Sequence, residues 1–409
     1  MLNIYKNNIT LLLSLSLVTI LPPIIKEVTL GSSYALGIFL SSVIVIMLVS
    51  FHKKKILIDI RDLNLTIILT LFIFIHFLVT WQQSIYLNLE FDYHLSRWAG
   101  SVIGIYLMLF SSQILANYIN SDVDECNFNL IIMIITTSFL IFATLASFGI
   151  NPIFTDIARH DKPMFIYGEP SHFFLTFGAF MMFFIIKSNY KNVFMIYMVL
   201  LLVKIKSAVY AVQLLLYAFI SYKKYFYLLL IPFALLISSD LNYYISRLDL
   251  FSENRSLSAD AFLSGILRAY TSFYETNFIG FGFNQFGFSN LDSLTSNYVY
   301  GLAQNSNEVA NRFDGTILSA KLVGEFGIFG IIMIFAYLLY FFRFMVFIIN
   351  SSKEFINLNP ILFFMLSVYI TFIIDLFIRS PGYFTSHFYL FILACTYLYK
   401  NIHKLKKYG

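Results

Sequence analysis

Apolar positions in this chain neither alternate nor recur every third or fourth residue. They gather in long unbroken runs separated by short polar stretches. The runs cover 9–25, 34–51, 65–81, 98–118, 128–148, 171–186, 193–205, 208–222, 225–238, 317–342, 359–378 and 386–399. A helix crosses a bilayer with about 20 mostly apolar residues, so the pattern predicts an all-α integral membrane protein of about 12 spans. The runs at 193–205, 208–222 and 225–238 are the shortest. Residues 1–409 read as one polytopic membrane domain, with no internal repeat or low-complexity tract. Two connections are longer than a turn: a polar loop at 149–170, and a segment at 239–316 rich in Ser, Asn, Gly, Phe and Tyr, with an amphipathic stretch near 257–276. Loops that long are usually functional or disordered, and the aromatic content argues for structure.

Composition agrees with a membrane setting. Hydrophobic residues make up 59%, charged residues 12%, and the mean hydropathy is +0.78, against about 25% charged residues in a soluble domain. The start of the chain, Lys6 followed by the run to Leu21, resembles a secretion signal. Pro22-Pro23-Ile24 follows in place of a small-residue cleavage site, so a retained first helix is expected. Cys126 falls in a turn and Cys395 inside the last run, placements unsuited to a disulfide.

Charge sets an expected orientation. Lysines concentrate in alternate connections (Lys53 to Lys55, Lys187 and Lys191, Lys223 and Lys224, Lys353, and the tail from Lys400), which places these and both termini in the cytoplasm. On that assignment 13 of 18 lysines are inside, whereas seven of nine arginines (Arg97, Arg159, Arg247, Arg255, Arg268, Arg312 and Arg379) face outside. Arginine's planar fork binds phosphate in a bidentate way, so the split points to an anionic ligand on the far side. The alternative for any one arginine is pairing with an external acid such as Asp156, Asp161, Asp249 or Glu253.

Four stretches are candidates for chemistry. Arg159-His160-Asp161 runs into Gly168-Glu169-Pro170-Ser171-His172, with Pro170 suited to open a helix. Glu169 is then either functional or simply an anion at a helix N-terminus. Lys204-Ile205-Lys206-Ser207 sits between two apolar runs, where a cation either serves a site or snorkels to the interface. In the long loop, Arg268 and Tyr270 precede Gly280-Phe281-Gly282, a Gly-x-Gly turn. Finally, Arg312-Phe313-Asp314 precedes Gly324-Glu325-Phe326-Gly327, with Glu325 two turns into the tenth run and Lys321 positioned for an ion pair. Asp375 and Arg379 share that spacing and read as a structural pair.

In order and content, residues 159–330 resemble the O-antigen polymerase and ligase superfamily of bacterial envelope glycosyltransferases. Such proteins show an external arginine before a Glu-Pro-Ser-like helix start, a basic turn, an arginine helix followed by Gly-x-Gly, and a Gly-Glu-x-Gly start to a later helix. Ligases carry a histidine just before that helix. Here Asp314-Gly315 stands there and 239–316 contains no histidine, which favours the polymerase branch. The resemblance implies an inner-membrane enzyme that joins undecaprenyl-pyrophosphate-linked repeat units at the periplasmic face and releases lipid pyrophosphate.

It also implies Arg159, Lys206, Arg268, Arg247, Arg312 and Glu325 at the substrate, Gly280 and Gly282 shaping the loop, and Asp314 or Glu169 as general base. The leaving group is already activated and no His/Asp cluster has metal-ligand spacing, so neither metal nor other cofactor is expected. Expected partners are the two lipid-linked glycans, membrane lipid, a chain-length regulator and a flippase, with no nucleic acid. The alternatives are an O-antigen ligase, a lipid-linked oligosaccharide flippase, and a solute transporter. One-sided polar residues disfavour a flippase, and paired broken helices, the mark of many transporters, are not visible.

Overall fold

The computed structural model describes residues 2–29, 33–54, 58–86, 94–150, 164–222, 257–287 and 316–402. Fifteen helices run through these segments. They are α1 (Leu2–Val28), α2 (Ala35–Lys53), α3 (Ile60–Tyr86), α4 (Leu95–Asp122), α5 (Glu125–Ser147), α6 (Pro170–Lys187), α7 (Lys191–Ile205) and α8 (Ala208–Tyr222). There follow α9 (Leu257–Glu275), α10 (Leu318–Phe326), α11 (Ile328–Asn350), α12 (Lys353–Leu358), α13 (Pro360–Thr371), α14 (Ile373–Phe377) and α15 (Ser386–Lys400).

The protein is all-helical among the described residues. Eight spans are long and apolar enough to cross a membrane: α1 to α6, α11, and α13 with α14 as one unit. Helices α7, α8 and α15 have 15 residues each, and the run at 225–238 lies outside the described residues. Among the described residues, eight of the twelve expected spans have the length and apolarity to cross.

The proline pair in α1 does not end the helix, which continues to Val28. Proline lacks the N–H that would bond four residues back, so Pro23 leaves the Thr19 carbonyl without its helical partner. The Tyr167 hydroxyl takes that place, donating to Thr19 O at 2.7 Å. Helix α2 carries Gly37 against Pro22, and a Cβ there would sit 2.4 Å from Pro22 Cα.

The run at 317–342 is not one helix. Gly327 interrupts it with φ +55°, a conformation other residues resist, and a Cβ on Gly327 would lie 1.9 Å from the Phe278 carbonyl oxygen. Glu325 therefore stands two turns into a short helix, α10, next to its last residue, with Lys321 one turn before it, and not within a continuous long helix.

Packing centres on α6 and α13, whose walls of Phe173, Phe177, Phe180, Phe363 and Phe364 are fully buried. By contrast α3 is only 22% buried along its apolar window, as expected of a helix facing lipid.

The helix ends sort into two groups. At one end Asn7 donates to Asp122 O, Lys53 pairs with Asp122, and Lys400 reaches Asp62 at 2.5 Å and also Asn117. The start of α1 and the end of α15 thus share one end of the bundle. The opposite end carries the α1–α2 turn, the start of α6, the 164–167 turn, and the loop between α14 and α15.

Candidate functional site

That second end holds a connected set of polar side chains. Glu169 is the N-cap of α6, with Pro170 in the first turn. Its side chain does not cap the helix. Instead it accepts from Arg379 Nη2 at 3.3 Å, 210 positions away in the chain, and from Ser171 Oγ at 3.0 Å. Burial alone would raise the Glu169 pKa, but the neighbouring His172, Arg379 and Lys26 and the Ser171 hydroxyl hold it below the ordinary carboxylate value. One turn on, His172 Nδ1 shares a hydrogen bond of 2.8 Å with the Tyr34 hydroxyl, and Lys26 sits over the Tyr34 ring at 4.3 Å. Burial, with Tyr167 and Glu169 nearby, pushes the Tyr34 phenol well up, so it remains a neutral hydroxyl.

Arg379 does not pair with Asp375. Helix α14 stops at Phe377, so the four-residue spacing is not carried on a helix and the two side chains diverge. Asp375 instead meets His387 Nδ1 at 2.5 Å, both about 1% exposed. Between this pair and His172 lies a small cavity lined by Tyr34, Tyr167, Thr176 and Ser386 among others. Its internal space is about 10 Å³, roughly that of one water.

Beside the cleft, the Gly-x-Gly turn is strapped across the end of α10. Phe281 and Gly282 donate their backbone N–H groups to the carbonyls of Gly324 and Glu325 at 3.0 and 2.9 Å. Gly280 takes φ +90°, and a Cβ there would lie 2.4 Å from Glu325 O. The Glu325 carboxylate is fully buried. It accepts from Tyr383 OH at 2.8 Å and from Phe286 N at 3.3 Å, with Lys321 Nζ at 3.9 Å. Burial and that carboxylate raise the Tyr383 phenol well above its usual value, so it stays a donor. These bonds occupy Glu325 internally: it fixes the strap and the 380s loop to α10.

Arg268, on α9, is 8% exposed, with Nε 3.3 Å from Ser264 Oγ. Its neighbour Ala269 joins Phe286, Ile317 and Ala320 in a small satellite core that holds α9 against α10. Lys206 caps α7 in the left-handed region (φ +49°), donating its N–H to Leu202 O. Gln213 bonds Phe174 O at 2.7 Å, which sets the Lys206-Ser207 turn at the same end as Pro170. Arg159, Arg247, Arg312 and Asp314 lie outside the described residues.

No family model, curated protein or solved structure matches the chain.

The network is therefore read on its own terms. A carboxylate held by an arginine stands at the rim, a histidine one turn below it, and a buried carboxylate–imidazole pair behind the cavity. Tyr34, Arg379, Asp375, His387 and Tyr383 are the members that sequence reasoning missed as site residues. Asp375 and His387 had a signal: each is an ionisable residue inside an apolar run, where such groups are expensive and functional by default.

Proposed function

We propose that the chain is a membrane glycosyltransferase of the O-antigen polymerase type, joining lipid-linked oligosaccharide units at the membrane face opposite the lysine-rich connections. One observation carries the reading. Segments that resemble the polymerase motifs, far apart in sequence, form one continuous network: Pro170 and Glu169 to Arg379, the 380s loop through Tyr383 to Glu325, and Glu325 to Gly282 and Phe286. The Ser380 N–H to Thr316 O bond at 2.6 Å and the Thr316 hydroxyl to Ala261 O at 2.8 Å extend it to the helix bearing Arg268.

In this reading a hydroxyl of one lipid-linked glycan attacks the anomeric carbon of another, and lipid pyrophosphate departs. Charge builds on the leaving phosphate, and arginines fixed by packing stabilise it without reorganising. Arg379 and Arg268 take that role among the described residues, with Lys206, Arg159, Arg247 and Arg312 as further cations. Glu169 at the rim and His172 one turn below it are the described groups within reach of the acceptor's proton in this reading; Asp314 remains a candidate from sequence. Lysines at the other end meet the cytoplasm, and the host membrane is the bacterial inner membrane.

The test is genetic and direct. Deleting the gene and resolving surface polysaccharide on a gel is expected to leave core plus a single repeat unit. Bare core, with polymer accumulating on its carrier, would reassign the protein as a ligase. An unchanged ladder would end the glycan-assembly reading.

A further inference from the structure

The Asp375–His387 pair lies inside the α13–α14 span and the first turn of α15, where uncompensated charge is costly. Its hydrogen bonds place one proton between carboxylate and ring: Asp375 Oδ2 and His387 Nδ1 lie 2.5 Å apart. On the other side of the ring, Thr371 Oγ1 bonds Ser367 O at 2.8 Å and meets His387 Nε2 at 3.3 Å. A pair that gives a proton away and is left as a carboxylate beside a neutral imidazole requires a second hydrogen, on Nε2.

The pair lines the cavity. From α6 and the turn before it, His172 and Tyr167 face the same space. Tyr34 faces it from the α1–α2 turn, and Tyr337 of α11 adds its phenol near Asp375. Glu169, Arg379 and Lys26 stand at the rim.

We propose that Asp375 and His387 form a proton shuttle, exchanging their proton through the water-sized cavity and His172 with substrate oxygens at the rim. The proposal rests on the glycosyl-transfer reading. As the bond from anomeric carbon to phosphate oxygen breaks, its electron pair leaves with the lipid pyrophosphate, and the pair delivers its proton to that oxygen. The acceptor hydroxyl oxygen forms the new bond to the anomeric carbon, and its proton returns to the pair. One carbon–oxygen bond forms, one breaks, and the pair ends as it began. Asp375 and His387 act through His172 and so are positioning residues.

The experiment pairs kinetics with nuclear magnetic resonance on the full chain in nanodiscs. With purified lipid-linked repeat unit, Asp375→Asn is expected to keep the wild-type KM, lose about 10²-fold or more in kcat, and flatten the pH profile of what activity remains. A folded Asp375→Asn with wild-type kcat and pH profile overturns the proposal. Should that variant not fold, ¹⁵N-histidine spectra of the wild type decide, with His387 assigned through its contact with the Phe372 ring. A protonated Nε2 at neutral pH supports the shuttle, and a bare Nε2 overturns it. A wild-type protein that transfers no sugar removes the polymerase reading and the shuttle with it, while the Nε2 signal still reports whether the pair stores a proton.

Discussion

The two ends of the bundle use ionisable groups in opposite ways. At the lysine end, charges close gaps between helix termini. Lys400 joins α15 to Asp62 of α3 and Asn117 of α4, Lys53 ties α2 to α4, Lys353 donates to the carbonyls of Ile186 and Ser188 at 3.0 Å, and Glu125 accepts the N–H of Ile361 at 2.9 Å. Each of these contacts satisfies a terminus or a neighbouring charge and is complete in itself. At the other end, groups of like chemistry are layered from surface to interior: Glu169 and Arg379 at the rim, His172 and Tyr34 below, Asp375 and His387 in the interior. Charge that ties helices together belongs to the scaffold; on the proposed reading, charge graded in depth around a cavity serves the transfer.

The contrast breaks most visibly at Gly327. Gly327→Ala forces a side chain into the Phe278 carbonyl at positive φ, and it is expected to abolish the strap. Loss of cooperative unfolding in detergent, together with loss of transfer, checks this. Next comes the lysine end. Asp62→Ala leaves Lys400 as a buried cation with a lost carboxylate, at a cost of about 3–5 kcal/mol. Unfolding titrations are expected to show that loss, with kcat per folded molecule unchanged.

Arg379→Gln reverses the pattern. The exposed Glu169–Arg379 pair contributes at most about 1 kcal/mol, yet transfer is expected to fall about 10²-fold. A variant with near wild-type activity would move Arg379 into the scaffold class. The smallest effect concerns pH. The Glu169 pKa is depressed in the fold, so its contribution to stability is present above the ordinary carboxylate value and lost as pH falls through the lowered one. Melting temperatures measured downward through the acid range are expected to show this slope in the wild type and a shallower one in Glu169→Gln.

Much of the scaffold was legible in the sequence. The runs at 34–51, 98–118 and 128–148 match α2, α4 and α5 closely, because unbroken apolar length is enough to specify a span. Pro170 opens α6 as expected, since its fixed φ suits a first turn. The site was harder to read. Asp375 and Arg379 share a helical spacing, but the helix ends between them, so local pattern named the wrong partners. Lys321 and Glu325 sit one turn apart, as the spacing suggested, but the break at Gly327, which no apolar count foretells, puts Glu325 beside the end of a short helix. The Asp375–His387 contact depends on how a loop of eight residues, 378–385, turns back, and no periodicity encodes that. Tyr34 and His172 lie 138 positions apart, and only the packing of α6 near the α1–α2 turn brings them together.

One wall of the cavity exists by subtraction. Tyr167 is anchored on a carbonyl that an ordinary helix would have kept for itself, and Pro23 leaves it vacant by having no hydrogen to offer. Replacing Pro23 with alanine would improve α1 on any propensity scale, by about 3 kcal/mol. It would also supply a competing donor at the one acceptor Tyr167 uses. The change that perfects the rod would evict its tenant, so an imperfection in the first helix is part of the cleft's architecture.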